Sequence, residues 1–466
     1  MLRVQVYLLN GFLNKFANHK PVNDRELKRI HLIAIGGAIM HNLAIALKQK
    51  GFQVSGSDDI IYDPAKTNLD NHNLLPSMGW NTDVITSDID IIILGMHAKE
   101  DNPELLKARE LGILIQSFPE FIASESRDKK RIVIAGSHGK TTTTAMIMHV
   151  LSKHNLDFDY LVGSSIDGFD LSVRISDAPL IIIEGDEYLS SPLDMKSKFL
   201  WYNPHISIIT GIAYDHINVF PTFDLYLDTF LRYMDSHTED GHFFWFEKDE
   251  HISQLSIKTG TSNQTYNTPM FKNTPTGTNL YFEGQWYPLS IVGKHNLENL
   301  CAAQKVCGKI GISGHDFYTA AFDFTGAGRR MEKIIDLNGQ VVYRDFAHSP
   351  SKLKATTEAI KETHSGRLLA VFELHTFSSL TKDFIPLYKN TMKAADEAII
   401  FYNDTIFTHK KMEYLDASYV QTCFGDVRII HDVAQLQAKV NASFRAGNNI
   451  LLMSSGTFEK ADFSFS

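Results

Sequence analysis

Residues 131–144 read RIVIAGSHGKTTTT: an apolar strand, a glycine turn and a Lys-Thr pair that opens a helix. That order is the local design for holding a nucleoside triphosphate, ATP or GTP. Backbone N–H groups from Gly136 to Lys140 can point at phosphate oxygens, and a helix N-terminus adds positive potential. Lys140 supplies a point charge and Thr141 a hydroxyl for Mg2+. The expected cradle is therefore Gly136, Ser137, His138, Gly139, Lys140, Thr141 and Thr142. Its spacing is short, because Ile134 stands where the common loop has its first glycine, which leaves G-x-x-G-K-T. The plain alternative is a structural strand-to-helix turn. Against it stands the Lys-Thr pair behind a buried-strand pattern.

Downstream, APLIIIEGDE and HISIITGIAYDH are short continuous apolar runs of the kind that parallel sheets bury on both faces. Ligands of such sheets gather at the carboxyl ends of the strands. Those ends hold Glu184, Asp186 and Glu187 in one run and Asp215-His216 in the other. Mg2+ takes oxygen ligands and keeps several waters. Glu184 and Glu187 with the Thr141 hydroxyl meet that need, and their spacing puts one of the two acids in the loop after the strand. A solvated acidic turn is the alternative. Taken alone, His216 reads more readily as a satisfied core histidine than as a second-metal ligand.

Residues 251–290, rich in Asn, Thr and aromatics, read as a small antiparallel insertion, followed by a helix that starts in IVGKHNLENLCAAQKV. His295, Asn296 and Asn299 at that start can meet an adenine or ribose, or cap the helix. Arg329 and Arg330 in GAGRRME can neutralise a transferring phosphoryl group or form an interdomain salt bridge. Asp345 and His348 in YRDFAHSP stand at a strand end before a proline turn.

Upstream, RIHLIAI, the Gly36-Gly37 turn, a helix with apolar Met40, Leu43, Ala44 and Leu47, and FQVSGSD form a βαβ unit. Asp58 stands 22 residues after Gly36, about where a Rossmann acid meets a ribose hydroxyl. The G-x-G-x-x-G fingerprint is incomplete, so nucleotide sugar, dinucleotide and structural turn stay open. SESRDKK at 124–130 reads as a charged hinge into the next unit. After GAGRRMEK, strands again alternate with helical segments.

With 466 residues, about three domains are expected. The fold class is α/β with three domains: a Rossmann-like 28–126, a central P-loop ATPase 127–322 with a parallel sheet and the antiparallel insertion, and a Rossmann-like 323–466. A net charge of −9 offers no basic field for nucleic acid. Cys301, Cys307 and Cys423 lack metal-ligand spacing and read as buried thiols in a reducing compartment. No apolar run approaches the roughly 18 residues of a membrane helix, and the leader MLRVQVYLLNGFLNKF has no small-x-small cleavage site. A cytoplasmic protein is expected, with residues before about Lys28 an extension outside the first domain.

In order, GSHGKT, EGDE, YDH, GKHNLEN, GAGRR and YRDFAHSP resemble the motifs of the Mur ligase family, the ATP-dependent amide ligases of bacterial peptidoglycan synthesis. The resemblance runs from about His31 to the C-terminus. It is strongest with two branches that act directly on UDP-N-acetylmuramate. One adds L-alanine; the other attaches the tripeptide L-alanyl-γ-D-glutamyl-meso-diaminopimelate in peptidoglycan recycling. HLIAIGGAIMHNLA resembles the amino-terminal signature of both, and DNPE at 101–104 resembles the alanine-adding branch. EGDEYLSSPLDMKSKFLWYNP and VFPTF resemble the tripeptide-adding branch more closely, and the reading leans there.

The resemblance implies that the lactyl carboxylate is activated as an acyl phosphate and then attacked by the amine of an amino acid or short peptide. ATP and Mg2+ are the implied cofactors and a monomer or weak homodimer the implied state, with neither nucleic acid nor membrane as partner. It assigns Gly36, Gly37, Ala38, Ser57, Asp58 and His97 to the UDP-sugar. Gly136 to Thr142, His295, Asn296, Asn299, Arg330, Asp345 and His348 surround ATP. Thr141, Glu184 and His216 hold metal, and Lys140, Glu184, His216 and Arg330 carry catalysis.

Departures from the family pattern are equally specific. Gly211 replaces an adenine-contacting Asn, Asn218 replaces an acid, and Ile39, His41 and Asn42 replace small residues of the amino-terminal turn. Leu231 stands where other branches carry a carbamylated lysine, as non-carbamylated branches allow. Thr376 in FELHTFSS stands where an Arg usually follows the His, which leaves the amine pocket open. Two rival classes are a nicotinamide-dependent oxidoreductase with an added ATPase domain, and a non-catalytic protein that uses ATP as a switch.

Overall fold

The structure, a computed structural model, describes residues 28–466 except His97, residues 275–276, Arg329 and Ser466. The leader, the UDP-sugar candidate His97 and Arg329 therefore lie outside the described residues. Three parallel-dominated sheets follow one another along the chain. The first has four strands in the order Gln53–Ser57, Arg29–Ile33, Ile91–Leu94 and Leu114–Ser117, all parallel. Met40, Leu43, Ala44 and Leu47 of the helix Ala38–Gln49 are buried as their spacing requires.

The second sheet has seven strands, ordered Ser262–Tyr266, His242–Phe246, Ile206–Ile209, Lys130–Ala135, Leu180–Glu184, Asp159–Leu161 and Val173–Arg174. All pair in parallel except the last. Lys130–Ala135 is buried throughout because helices or strands cover both of its faces and edges. Each of its aliphatic side chains contributes about 1.5–3 kcal/mol by leaving water. The third sheet orders Glu332–Leu337, Gln340–Asp345, Asn449–Met453, Leu368–Glu373, Glu397–Phe401 and Arg428–Ile430. Only its first pair is antiparallel.

Two expectations need correction. The antiparallel insertion is real but smaller than 251–290: it comprises Met270–Thr274, Gly277–Phe282 and Gln285–Leu289. Residues 250–266 instead supply a helix and the parallel edge strand of the central sheet. The SESRDKK stretch is not a free charged hinge. Lys129 is buried, with Nζ 2.7 Å from Asp159 and donating to the Ser176 and Ala178 carbonyls, because these groups replace the water it loses.

The described chain packs as two compact units. One comprises the residues through Ile212, Phe223–Tyr266 and Ala302–Ser313. The other comprises Ala213–Thr222, Asn267–Cys301 and Gly314–Ser466. No helix among the described residues is long and apolar enough to cross a membrane. All three cysteines are buried thiols.

Candidate functional site

The turn after Lys130–Ala135 takes the shape its glycines allow. Gly136 has φ 123° and Gly139, which precedes the helix Lys140–Lys153, has φ 78°. Both are left-handed, where a side chain is strained. At Gly136 a Cβ would also overlap the Thr210 hydroxyl and lie 2.8 Å from the Thr210 amide nitrogen. That hydroxyl braces the turn by donating to the carbonyls of Ala135, at 3.0 Å, and His138. Thr210 was not among the sequence candidates; its position at the end of a neighbouring buried strand is the only signal for it.

Not every N–H of the turn faces a ligand. The Ser137 amide donates to the Gly211 carbonyl at 2.9 Å, so this expected phosphate donor is committed to the neighbouring strand end. Gly211 has φ 149°, and a Cβ there would lie 2.5 Å from His138 Cε1. The ring of His138 thus occupies the space a side chain at position 211 would enter.

Lys140 leads back across the turn: Nζ is 2.6 Å from the Gly136 carbonyl and 2.8 Å from Glu187 Oε2. Burial alone would lower its pKa, but Glu187 first, then Asp186 and Glu184, hold it above the ordinary lysine value. The cation is therefore fixed. Glu187 also accepts from the Tyr226 hydroxyl at 2.9 Å, which in turn accepts from Ser137 Oγ at 2.7 Å. Tyr226 is fully buried on the helix Phe223–Asp235. Sequence reading passed over it because it sits among aromatic core residues of the same helix.

The three acids after Leu180–Ile183 differ in their partners. Asp186 pairs with Lys198 at 2.6 Å and Glu187 with Lys140. Glu184 has no cationic partner among the described residues. Its Oε1 accepts from Thr141 Oγ1 at 2.7 Å and its Oε2 from the Gly163 amide at 2.9 Å. A carboxylate beside a hydroxyl, in no direct ion pair at the mouth of a phosphate loop, fits the oxygen preference of Mg2+. As the spacing required, Glu184 ends the strand and Glu187 lies in the loop.

In the other unit, Asp215 and His216 lie on a segment that packs with the third sheet. His216 takes φ 55°, rare for a residue with a side chain. Burial would raise Asp215, but His216, Lys352 and the His216 amide outweigh it and hold the carboxyl below its ordinary value. His295, Asn296 and Asn299 share this unit with Arg330, Asp345 and His348. Gly293, φ 91°, opens their helix where a Cβ would meet Ala359. Asn296 Nδ2 donates to the Val292 carbonyl at 2.9 Å, so the amide closes its own helix start. Asp345 is buried, accepts from Thr356 Oγ1 at 2.6 Å and opposes, by its charge, the lowering of His295 that burial causes. Arg330 lies 5.1 Å from the centre of the Phe346 ring. Burial, then Lys352, pushes the pKa of His348 down to about 3. It is neutral near pH 7, and its Nδ1–H donates to the Phe346 carbonyl at 2.8 Å.

The first sheet places Gly36, Gly37, Ala38, Ser57 and Asp58 together at its carboxyl edge. Asp58 is turned inward: Oδ2 accepts from the Gly36 amide at 2.7 Å and Oδ1 from Asp59 at 2.9 Å. With 5% exposure its carboxylate braces the turn rather than reaching for a ribose. Behind it, Ser57 Oγ donates to Glu104, whose Oε1 accepts from the Asn81 amide at 2.7 Å. His31 is 3.6 Å from Glu104, and both are fully buried. Burial would raise Glu104, but His31, Ser57 and the Asn81 amide hold it below the usual carboxylate range. Sequence reading singled out neither His31 nor Glu104 as a buried pair.

Comparison with known proteins covers the same three stretches. Residues 29–130 match the Mur ligase family catalytic domain, 134–307 the Mur ligase middle domain, and 329–456 the glutamate ligase domain of Mur ligases. The UDP-N-acetylmuramate–L-alanine ligase of Caldicellulosiruptor bescii is 31% identical over 80% of this chain and 83% of its own length. The UDP-N-acetylmuramate–L-alanyl-γ-D-glutamyl-meso-2,6-diaminoheptandioate ligase of Haemophilus influenzae is 29% identical over 74% and 80%. Among solved structures, a murein peptide ligase from Psychrobacter arcticus superposes with a TM-score of 0.66 over 93% of this chain and 97% of that one, at 22% identity.

Proposed function

This chain belongs to the Mur ligase family, and from that premise we propose that it joins UDP-N-acetylmuramate to the tripeptide L-alanyl-γ-D-glutamyl-meso-diaminopimelate. The reaction class is ATP-dependent amide ligation in peptidoglycan metabolism. The observation that carries the reading is the phosphate loop joined through Thr141 to Glu184, a carboxylate bound to no cation. The tripeptide as acceptor rests on the stretch from Glu184 to Pro204 and on VFPTF. The alanine-adding activity is the second reading, favoured by DNPE and by the 31% identity to an alanine ligase.

A carboxylate and a triphosphate repel, so the site must neutralise charge and position its reactants. In the proposed roles, Lys140 pulls on the phosphates while Glu187 and Tyr226 keep it aimed. Gly136 and Gly139 let the backbone approach closely. Thr141 and Glu184 would hold Mg2+, which when bound supplies Lewis-acid stabilisation of phosphoryl oxygens, and His216 is proposed as a further metal ligand. Arg330 would meet charge on the transferring group, with His295, Asn296, Asn299, Asp345 and neutral His348 lining the nucleotide. The turn from Gly36 to Ala38 with Ser57 would face the UDP-sugar, Asp58 acting from behind it.

The test is phosphate release from ATP and Mg2+ with UDP-N-acetylmuramate, comparing L-alanine with the tripeptide as amine. Release with the tripeptide alone is expected. Release with alanine alone overturns the acceptor in favour of the second reading. A companion result is expected for His216→Ala: the Mg2+ concentration for half-maximal turnover should rise about tenfold, the scale of one ligand's loss. A normal magnesium titration would return His216 to a structural role.

A further inference from the structure

The amino end of the strand Lys130–Ala135 borders a cavity of about 430 Å3, lined by the helix Phe118–Glu125, the segment that follows it, and the turn Lys198–Trp201. All of these elements lie in the unit that carries the phosphate loop. Strands advance about 3.3 Å per residue, so Arg131 lies roughly 15 Å from Gly136, well away from the phosphates. The volume falls within the range of small-molecule sites, roughly 300–1,000 Å3.

The charges around this cavity are unbalanced. Arg131 is 9% exposed. Its Nε donates to the Asn203 carbonyl at 3.1 Å, and its Nη1 to those of Ser126 and Arg127 at 3.0 and 3.1 Å. Nη2 makes no bond, and no carboxylate lies within ion-pair distance of the guanidinium, among the described residues. Asp128 acts on it only from beyond that distance and does not outweigh its burial, and a buried guanidinium without a direct ion pair is costly. Arg127 adds a second guanidinium that forms no ion pair among those residues. The third charge of the lining is Glu120, whose carboxyl burial pushes up, against the Ser117 amide. Asp194 is not part of the lining; it accepts from Trp201 Nε1 at 2.8 Å and from Ser117 Oγ at 3.1 Å, and its charge acts on Lys196 and Glu120. That clip, with Lys196 Nζ 3.9 Å from the ring centre on the indole, fixes Trp201 as a rigid wall.

Two guanidiniums and one carboxylate call for a ligand of the opposite pattern. We propose that this cavity binds a small amino-dicarboxylate, an acidic amino acid or a short peptide that ends in one. The carboxylates meet Arg127 and Arg131, and the ammonium meets Glu120. Guanidinium binds carboxylate through charge-assisted, directional hydrogen bonds, which makes the two arginines the main source of affinity. This site is independent of the acceptor assigned above.

The test titrates L-glutamate into the full chain, read by calorimetry and Trp fluorescence, beside glutarate, which lacks the ammonium, and L-alanine, which lacks the second carboxylate. Saturable L-glutamate binding is expected, with both comparators at least about tenfold weaker. Arg127→Ala should weaken it about tenfold, and Glu120→Gln should erase the advantage of L-glutamate over glutarate. Arg131 is too deeply seated for a clean variant, so Ser124→Trp, on the cavity wall, serves to fill the space. It should abolish binding while basal phosphate release is unchanged. Absence of saturable binding overturns the proposal, as does binding that survives Ser124→Trp. Equal affinity for glutarate and L-glutamate overturns the role of Glu120.

Discussion

Lys140→Ala should lower turnover by at least about a thousandfold, the scale of losing a fixed cation at a phosphoryl-transfer centre. Binding of UDP-N-acetylmuramate, measured by calorimetry, should stay within a few-fold, because the first sheet's turn is built from other residues. The variant carries a second effect that has to be separated. Lys140 neutralises Glu187, whose side chain is 1% exposed. Breaking a buried pair by removing one partner costs about 3–5 kcal/mol. Lys140→Ala combined with Glu187→Gln should therefore regain much of the lost melting temperature and none of the turnover. Unchanged turnover in the single variant would sink the nucleotide assignment. Recovery of activity in the double variant would mean that Lys140 acts only by supporting the fold.

Gly136→Ala should be nearly as damaging by a different route. The residue combines φ 123° with a Cβ position blocked by the Thr210 hydroxyl and amide nitrogen. Left-handed strain and overpacking together cost about 2–5 kcal/mol. Relief requires Thr210 to move, and Thr210 holds the carbonyls on both sides of the turn. The expected result is a fall in kcat/KM for ATP of at least about a hundredfold, with a lowered melting temperature. Gly168→Ala is the control, since its φ is 84° but nothing lies within 4 Å of the added methyl. It should lose stability slightly and keep its ATP kinetics. Equal kinetics for the two alanine variants would show that the shape of the Gly136 turn is irrelevant to ATP.

The order of sheets was legible because buried parallel strands announce themselves: Ile132, Val133 and Ile134, and Ile181 to Ile183, admit no other reading once glycines and acids follow them. The strand Ser262–Tyr266 escaped notice because it is an edge, and SNQTY carries the polar residues an edge tolerates. The basic stretch before Lys130 was misread for the opposite reason. Its lysine is charged and buried, and the groups that make this possible, Asp159 and two carbonyls, are distant in sequence. At the site, residue types and spacing pointed to Lys140, Thr141 and Glu184. They could not tell which acid lacked a cation, since that depends on where Lys198 turns. Nor could they reveal that Asp58 faces the Gly36 amide or that the Tyr226 hydroxyl reaches Glu187.

The central sheet also sets conditions on how a ribosome can deliver this chain. Its middle strand is made first, and Ile132 finds its neighbours only at Ile182 and Ile206. At about 5–20 residues per second of synthesis, both edges of a ribbon that is apolar from Ile132 to Ala135 wait for seconds without partners. Such a nascent segment is a natural client for chaperones, and the yield of active protein should depend on translation speed between these strands more than on the final stability of the fold.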